Sequence, residues 1–179
     1  MREQWQMWEK GIASESVAEM ISKFEQLPAE EASIFKGSEV NTDIRRSVVR
    51  WVHEQPIRDF LWTFVQQANL NAFNVDVTNF CEVQYTEYHA EAEGHYDWHH
   101  DVHWSGNTLA DRKLSVTVQL SSPDEYEGGT FEFQECESPT CKEIGTVLVF
   151  PSYLQHRVLP VTSGTRKSLV AWFHGPRWR

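Results

Sequence analysis

The chain has 179 residues, 40% of them hydrophobic and 23% charged, a balance that suits one globular domain with a buried core. Its net charge of −10 disfavours a general attraction to nucleic-acid phosphates. The first residues lack the apolar region of a signal peptide, and no window reaches a membrane-spanning length. We therefore expect a cytoplasmic protein without nucleic-acid or membrane partners.

Two helices are predicted in the first part of the chain, residues 1–73. The first begins at a capping-box pair, Ser16 and Glu19, and ends before Pro28. Its apolar side chains recur at helical spacing: Val17, Met20, Ile21, Phe24 and Leu27. The second begins at Pro56 and carries one apolar stripe, made of Ile57, Phe60, Leu61, Phe64, Val65 and Ala68. A strand is predicted between the helices, over residues 47–52.

Short strands are predicted from about residue 74 to residue 175. In KLSVTVQL (113–120), leucines and valines alternate with Ser115, Thr117 and Gln119, the pattern of an antiparallel strand with one buried face. The other signals are an EGGT turn (127–130) and two apolar runs, 145–150 and 166–173. Helices followed by antiparallel strands predict an α+β fold in one domain over residues 1–179, with the strands wrapped as a sandwich or jelly roll.

The three cysteines are an odd number, which excludes a complete disulfide framework. Cys136 and Cys141 flank ESPT in a predicted loop and could pair, but a cytoplasmic location favours reduced thiols. No CxxC pair is present, so the sequence does not indicate a structural zinc site.

The segment GHYDWHHDVHW (94–104) holds four histidines and two aspartates in eleven residues. If it is extended, alternate side chains point to the same side. One face then carries His95, Asp97, His99, Asp101 and His103. This arrangement resembles half of a metal site, and both His95-x-Asp97 and His99-x-Asp101 have the spacing of a ligand pair.

His156 is the candidate for a third ligand, because it lies just after the buried strand predicted at 145–150. Two imidazoles and one carboxylate on one face of an octahedron leave three positions open, the arrangement of non-heme Fe(II) oxygenases. Structural zinc sites instead close all four positions with protein ligands. The pattern therefore favours catalysis over a structural role.

Arg166 begins an apolar strand ten residues after His156 and shares a face with Ser168, Val170 and Trp172. An arginine that points inward there needs an anion, because an unpaired buried charge is costly. A carboxylate co-substrate would fit through two parallel hydrogen bonds. The alternative is a solvated arginine at a strand end.

Together, the segments 88–101, 112–133 and 145–175 resemble the Fe(II)/2-oxoglutarate-dependent dioxygenases, and within them the prolyl 4-hydroxylase-like branch. The resemblance covers about residues 80 to 175. It rests on His-x-Asp, a distant histidine and a basic residue ten positions later, in that order. It implies a double-stranded β-helix, or jelly-roll, core over about residues 74–175, with the preceding helices packed against it.

The resemblance also assigns roles to individual residues. The family pattern has a tyrosine three residues before the metal-binding histidine, and Tyr96 fits His99. The implied metal ligands are His99, Asp101 and His156. Arg166 matches the residue that binds the distal carboxylate of 2-oxoglutarate. Tyr88, with Tyr85 as the alternative, and Ser168 would bind the same carboxylate. Substrate contacts are expected from Tyr96, Trp172 and Trp98.

The implied reaction is hydroxylation of a C–H bond with Fe(II), O2 and decarboxylation of 2-oxoglutarate to succinate, with ascorbate as the reductant. Prolyl residues of a peptide or protein are the expected substrate, since extended proline-rich segments dock on aromatic grooves. The aromatic candidates are Trp98, Trp104, Trp172, Tyr126 and Tyr153, and loops 102–112 and 122–129 are the expected lids. A free amino acid or small metabolite as substrate, and a non-catalytic metal-binding jelly roll, are the alternatives. A monomer or a homodimer is expected.

Overall fold

The computed structural model describes residues 3–32, 41, 43–104 and 108–179. Its two α-helices are α1 (Ser14–Phe24) and α2 (Gln55–Ala68), and α2 continues into a π-helical turn, Asn69–Phe73. The second helix begins one residue before the predicted Pro56. The capping-box prediction is wrong, because α1 begins at Ser14 and no side chain caps its first turn. Ser16 therefore lies within the helix.

The strands in the described residues form two sheets. The larger sheet has the order β1-β10-β7-β12-β5-β4-β2, with β8 paired to β12, and the smaller has the order β3-β6-β11-β9. The first six strands are β1 (Gln6–Trp8), β2 (Glu30–Glu31), β3 (Arg45–Arg46), β4 (Val48–Val52), β5 (Cys81–His89) and β6 (His95–His99). The others are β7 (Ala110–Gln119), β8 (Tyr126–Gly128), β9 (Phe131–Phe133), β10 (Val147–Pro151), β11 (His156–Val158) and β12 (Val161–Pro176).

This is the α+β double-stranded β-helix that the sequence predicted. The described residues of the first part of the chain hold three short strands besides the one predicted over residues 47–52. Strands β1 to β4 lie within residues 1–73, and each of them joins one of the two sheets. These strands are two to five residues long, so that only β4, inside the predicted 47–52 strand, is long enough to leave an alternating pattern in the sequence.

The main core lies between the helices and the outer face of the larger sheet. Val17 and Phe24 of α1 and Leu61 and Val65 of α2 pack there against the apolar positions of the sheet. Those positions include Leu114, Val116, Val118, Leu169, Ala171 and Phe173. Phe60, which the predicted stripe included, is at the edge of this contact and is 37% exposed.

The opposite face of β7 is also buried, which corrects the prediction of a strand with one solvated face. Ser115, Thr117 and Gln119 are at most 5% exposed. They face the interior because the smaller sheet covers this side of the larger one, as in other sheet-on-sheet packings. The inner face of the larger sheet is therefore polar in part, and it carries the candidate site.

All three cysteines are free thiols, including Cys136 and Cys141. No helix among the described residues is both long enough and apolar enough to cross a membrane.

Candidate active site

His99 and His156 lie opposite each other on β6 and β11 of the smaller sheet. Val158 pairs with Tyr96, so β6 contains one more residue than β11 over this interval, which is a β-bulge. The bulge turns Tyr96 and His99 to the same side although they are three residues apart. Their rings stack with centroids 3.4 Å apart.

Asp101 follows β6 and completes a group of three. Its backbone N–H donates to the carbonyl of Ser152 at 2.8 Å. Its carboxylate oxygens lie 3.8 Å from His99 Nε2 and 3.7 Å from His156 Nε2. One ligand atom from each of the three residues lies within 4.8 Å of the other two, close enough to share one metal ion.

The two histidines present the same ring nitrogen to this point. Nδ1 of His99 is 2.7 Å from the carbonyl of Asp97, and Nδ1 of His156 is 2.9 Å from the carbonyl of Leu154. A carbonyl only accepts, so Nδ1 carries the hydrogen in both rings and Nε2 keeps its lone pair. Backbone carbonyls orient metal-binding histidines in this way, so these residues fit a metal ion.

Burial and charge favour the ligand forms of these side chains. Burial holds the pKa of His99 well below its usual range, and the nearby His156 lowers it further. Burial alone would raise the pKa of Asp101, but the two histidines, Arg112 and the Ser115 hydroxyl together lower it. A neutral imidazole and an ionised carboxylate are the states that bind a metal ion.

Arg166 is the second notable group, since its side chain is 2% exposed. No carboxylate in the described part of the chain forms an ion pair with it. The guanidinium lies 5.7 Å from the ring centroid of Tyr88, its cross-strand partner on β5. Ser168, two residues further along β12, is 1% exposed and faces the same cavity. An arginine that is buried, has no counter-ion in the described part of the chain and lies beside two hydroxyl groups is suited to bind an anion.

One cavity unites the triad and the arginine. Its walls are formed by Arg45, Tyr88, Tyr96, His99, Asp101, Thr117, Phe131, Phe150, His156, Val158, Arg166, Ser168, Val170 and Trp172. The structure therefore brings together all the residues proposed above as ligands of the metal and of 2-oxoglutarate. Of the three expected substrate contacts, Tyr96 and Trp172 line it as well.

Trp172 is held at one end of this cavity by a charged cluster. The guanidinium of Arg112 lies 4.0 Å from the Trp172 ring centroid. Glu82 binds Arg112 at 2.9 Å and His174 at 3.3 Å. The hydrogen bond from His174 lowers the pKa of Glu82 to about 2, with help from Arg112 and against the opposing effect of burial. Glu82 is therefore ionised at neutral pH and fixes Arg112 over the indole.

Arg45 was missed by the sequence reasoning. It is 6% exposed and donates to Ser47 Oγ at 2.9 Å and to Gln84 Oε1 at 2.8 Å. Its guanidinium lies 4.6 Å from the centroid of Tyr96, so that Arg45, Tyr96 and His99 form a continuous stack. Burial raises the pKa of Tyr96 to about 12, and this phenol stays protonated as a hydrogen-bond donor.

Other predicted residues lie elsewhere. Trp98 does not line the cavity, because the bulge turns its ring outward under the guanidinium of Arg157, 4.5 Å away. Tyr85, the alternative to Tyr88, packs in the main core on the opposite face of β5. His95 bonds to backbone carbonyls, and Asp97 is exposed, so the His95-x-Asp97 pair is not part of the triad.

The remaining aromatic groove residues are not among those that line the cavity, and the second predicted lid, 122–129, ends at Gly129 next to Arg166. Tyr126 is buried in β8, and Trp104 and Tyr153 are exposed. In the first predicted lid, residues 105–107 lie outside the described residues, and the part from Ala110 onward belongs to β7.

Comparison with protein families gives a match consistent with this geometry. The family model described as the 2OG-Fe(II) oxygenase superfamily matches residues 83–174. That range includes the triad, Tyr88, Arg166 and Trp172, and it excludes Arg45.

A PKHD-type hydroxylase from Synechococcus sp. (strain CC9311) is 38% identical over 84 residues, which are 46% of this chain and 37% of the relative. A PKHD-type hydroxylase from Crocosphaera subtropica is 36% identical over 87 residues, 47% of this chain and 39% of the relative. The chain thus spans about two fifths of the length of these curated relatives.

The fold is shared with a prolyl-4-hydroxylase from Pseudomonas putida, at a TM-score of 0.73 and 19% identity. The superposition covers 97% of this chain and 93% of the bacterial one. At this level of identity the likeness concerns the fold.

Proposed function

The chain belongs to the 2OG-Fe(II) oxygenase superfamily, and we propose that it is an Fe(II)- and 2-oxoglutarate-dependent dioxygenase that hydroxylates prolyl residues of a peptide or protein. The observation that carries the proposal is the cavity shared by an open His-Asp-His triad and a buried arginine that pairs with no carboxylate among the described residues. A structural metal site would need neither the open coordination positions nor the arginine.

In this proposal His99, Asp101 and His156 hold Fe(II). When bound, the metal supplies the activation of O2 that is coupled to decarboxylation of 2-oxoglutarate to succinate and CO2. Arg166 binds the distal carboxylate of 2-oxoglutarate, and the hydroxyls of Tyr88 and Ser168 donate to it. These three side chains are at most 3% exposed, so water does not compete for the carboxylate.

The remaining walls orient the substrate and keep water out. Phe131, Phe150 and Val158 form the apolar side next to His156. Tyr96 and Trp172 contact the substrate. The indole N–H of Trp172 is buried and meets no acceptor from the residues that the structure describes, and it donates to a substrate carbonyl. The PKHD-type relatives support a hydroxylase, and the prolyl-4-hydroxylase whose fold this chain shares supports a prolyl substrate.

We further propose that residues 1–179 act as one domain in the cytoplasm, as a monomer or homodimer, with ascorbate as the reductant. The free thiols agree with a reducing compartment.

The test is succinate production from 2-oxoglutarate with Fe(II) and ascorbate, with and without a panel of proline-rich peptides. Succinate together with a peptide that gains one oxygen atom is the expected result. Succinate without peptide oxidation would direct the search to free amino acids and other small molecules. Metal binding without any succinate would favour a non-catalytic jelly roll and overturn the proposal.

A further inference from the structure

Two buried serines extend inward from the carboxylate of the triad. Ser115 Oγ lies 2.6 Å from Asp101 Oδ2 and 2.9 Å from Ser152 Oγ. Both serines are fully buried, and Asp101 is 8% exposed. Ser115 stands on the inner face of β7 and Ser152 directly after β10's Pro151, so the three residues come from different parts of the chain.

The direction of these hydrogen bonds follows from the chemistry of the groups. An ionised carboxylate only accepts, so Ser115 donates its single hydroxyl hydrogen to Asp101 Oδ2. Ser115 has no second hydrogen to give, and Ser152 must therefore donate to Ser115. The chain runs in one direction, from Ser152 through Ser115 to the carboxylate. Successive bonds of this kind polarise and strengthen one another in a buried site.

Ser152 also holds Asp101 through the backbone. Its carbonyl accepts from the Asp101 N–H at 2.8 Å, and its own N–H donates to the carbonyl of Lys113 at 3.0 Å. The main chain thus fixes where Asp101 sits, while the hydroxyl chain acts on the side chain alone. Removing the hydroxyls leaves the backbone contacts in place.

The hydroxyl chain distinguishes the two carboxylate oxygens, which the histidines do not. Oδ1 is 3.8 Å from His99 Nε2 and Oδ2 is 3.7 Å from His156 Nε2, so the carboxylate is placed almost evenly between the rings. Only Oδ2 accepts from Ser115. We infer that Ser115 is a positioning residue that keeps Asp101 a ligand through Oδ1 only, and that Ser152 orients the Ser115 hydroxyl. This inference rests on the iron centre proposed above.

The consequence is an open coordination face. A carboxylate that binds through both oxygens would take one of the positions that the co-substrate and O2 require. Ser115 occupies Oδ2 with a hydrogen bond and prevents that second contact. The hydroxyl of Ser152 contributes by orienting the Ser115 hydroxyl.

Direct metal binding tests this inference without turnover. Metal-free protein is titrated with Co(II), and binding is followed by the visible absorption of the ion. Ser115→Ala is expected to bind Co(II) about 10- to 100-fold more weakly, the usual effect of losing a partner that orients a ligand. The absorption spectrum should also change, because the freed Oδ2 alters the coordination number. Ser115→Thr keeps the hydroxyl and should restore the wild-type spectrum.

The two serines should not act independently. Ser152→Ala is expected to weaken Co(II) binding less than Ser115→Ala does, and the double variant should bind no more weakly than Ser115→Ala alone. Additive effects would overturn the inferred chain, because they would show that Ser152 acts on Asp101 by another route.

Ser121→Ala is the matched control for loss of a buried serine hydroxyl. Ser121 is also fully buried and makes two hydrogen bonds, to the carbonyl of Thr165 at 3.1 Å and from the N–H of Lys167 at 2.8 Å. It has no contact with the triad. We expect this variant to unfold at lower denaturant concentration and to bind Co(II) as wild type does.

Wild-type Co(II) affinity and spectrum in Ser115→Ala would overturn the inference. If that variant does not fold, unchanged binding by Ser152→Ala overturns it instead, since the backbone contacts of Ser152 remain. Failure of the proposed function gives a different result. In that case wild-type protein would bind Co(II), the serine variants would still bind it more weakly, and no succinate would form.

Discussion

His99 and His156 are direct cross-strand partners, with ring centroids 4.2 Å apart. The pairing places His99, from the local His-x-Asp motif, beside His156, which is distant in the sequence. Regular strand pairing, and not a loop, brings the two residues together. Both rings are anchored through Nδ1 to a carbonyl two residues earlier in the chain, Asp97 for one and Leu154 for the other. The pairing of β6 with β11 therefore brings the two histidines of the triad together.

Replacing a ligand of the triad should remove both metal binding and turnover. We expect His99→Ala, Asp101→Ala and His156→Ala each to lower Co(II) affinity by more than about 100-fold, since losing a ligand costs more than losing the partner of a ligand. Asp97→Asn is the control, because the Asp97 side chain is exposed and only its carbonyl bonds to His99. If Asp97→Asn lost metal binding and Asp101→Ala kept it, the ligands would be the other pair, His95 and Asp97.

Replacing Arg166 should weaken the binding of 2-oxoglutarate without lowering the stability of the fold. Arg166→Met removes hydrogen bonds between charged groups that contribute about 1.5–3 kcal/mol each, so the KM for 2-oxoglutarate should rise at least 10-fold. The same change puts an apolar side chain in place of a buried charge that no described carboxylate pairs with, and the free energy of unfolding without ligands should stay level or rise. Succinate assays and urea denaturation measure the two effects.

Arg157→Met is the comparison for the arginine prediction. Arg157 lies on the outer face of β11 and forms an ion pair with Glu132 at 2.7 Å. Its loss should leave the KM for 2-oxoglutarate unchanged. An equal rise in KM for both variants would mean that Arg166 does not bind the co-substrate.

Gly129 should be required for the position of Arg166. It has a φ of +58°, and a Cβ there would lie 2.9 Å from Arg166 Cδ and 3.0 Å from Val161 Cγ2. Gly129→Ala is therefore expected to displace the guanidinium and raise the KM for 2-oxoglutarate several-fold. In Gly128→Ala the added Cβ would instead meet the carbonyl of Pro160 at 2.3 Å.

The two glycine variants form a matched pair, because both residues have positive φ and both changes strain the same turn. Gly128→Ala should lower stability at least as much as Gly129→Ala but affect the KM for 2-oxoglutarate less. If the KM follows stability alone, Gly129 has no specific role in placing Arg166.

The alternation of apolar and polar residues in the sequence predicted the strands but not which face of each strand is exposed to solvent. In β7 it separated Leu114 and Val116 from Ser115 and Thr117 correctly. It could not show that a second sheet covers the polar side, because that sheet is built from β3, β6, β9 and β11, which are two to five residues long. The polar residues of β7 were therefore assigned to solvent, and one of them supports Asp101.

The bulge in β6 is the second feature that a two-residue period cannot predict. Strict alternation placed His95, Asp97 and His99 on one face, whereas the extra residue in β6 turns Tyr96 and His99 inward together. Arg45 was missed for a related reason. Its strand, β3, has two residues, too few for any periodic pattern. One signal could have identified Arg45. Like Arg166, it is an arginine at or near the end of a predicted strand, where an inward side chain would need a partner.

The cluster around Glu82 should make stability depend on pH in a defined range. The pKa of Glu82 is lowered from 4.5 to about 2, first by the hydrogen bond from His174 and then by Arg112, while burial acts in the opposite direction. A lowered carboxyl pKa adds stability that is fully present above the unfolded value and is lost as the pH falls through the folded value. The contribution of Glu82 should therefore decline between about pH 5 and pH 2.

The contribution of Glu82 is the difference in the free energy of unfolding between wild type and Glu82→Gln at each pH. Because both proteins contain the triad, its sensitivity to acid cancels in this difference. At pH 6 we expect the variant to be less stable by about 1–2 kcal/mol, a value reduced because the carboxylate is partly exposed and screened by water. The difference should shrink steadily as the pH is lowered towards 3, in urea unfolding followed by tryptophan fluorescence. A difference that stays constant would show that Glu82 stabilises the fold through packing and not through its charge. Arg112 would then not depend on that charge for its position over Trp172.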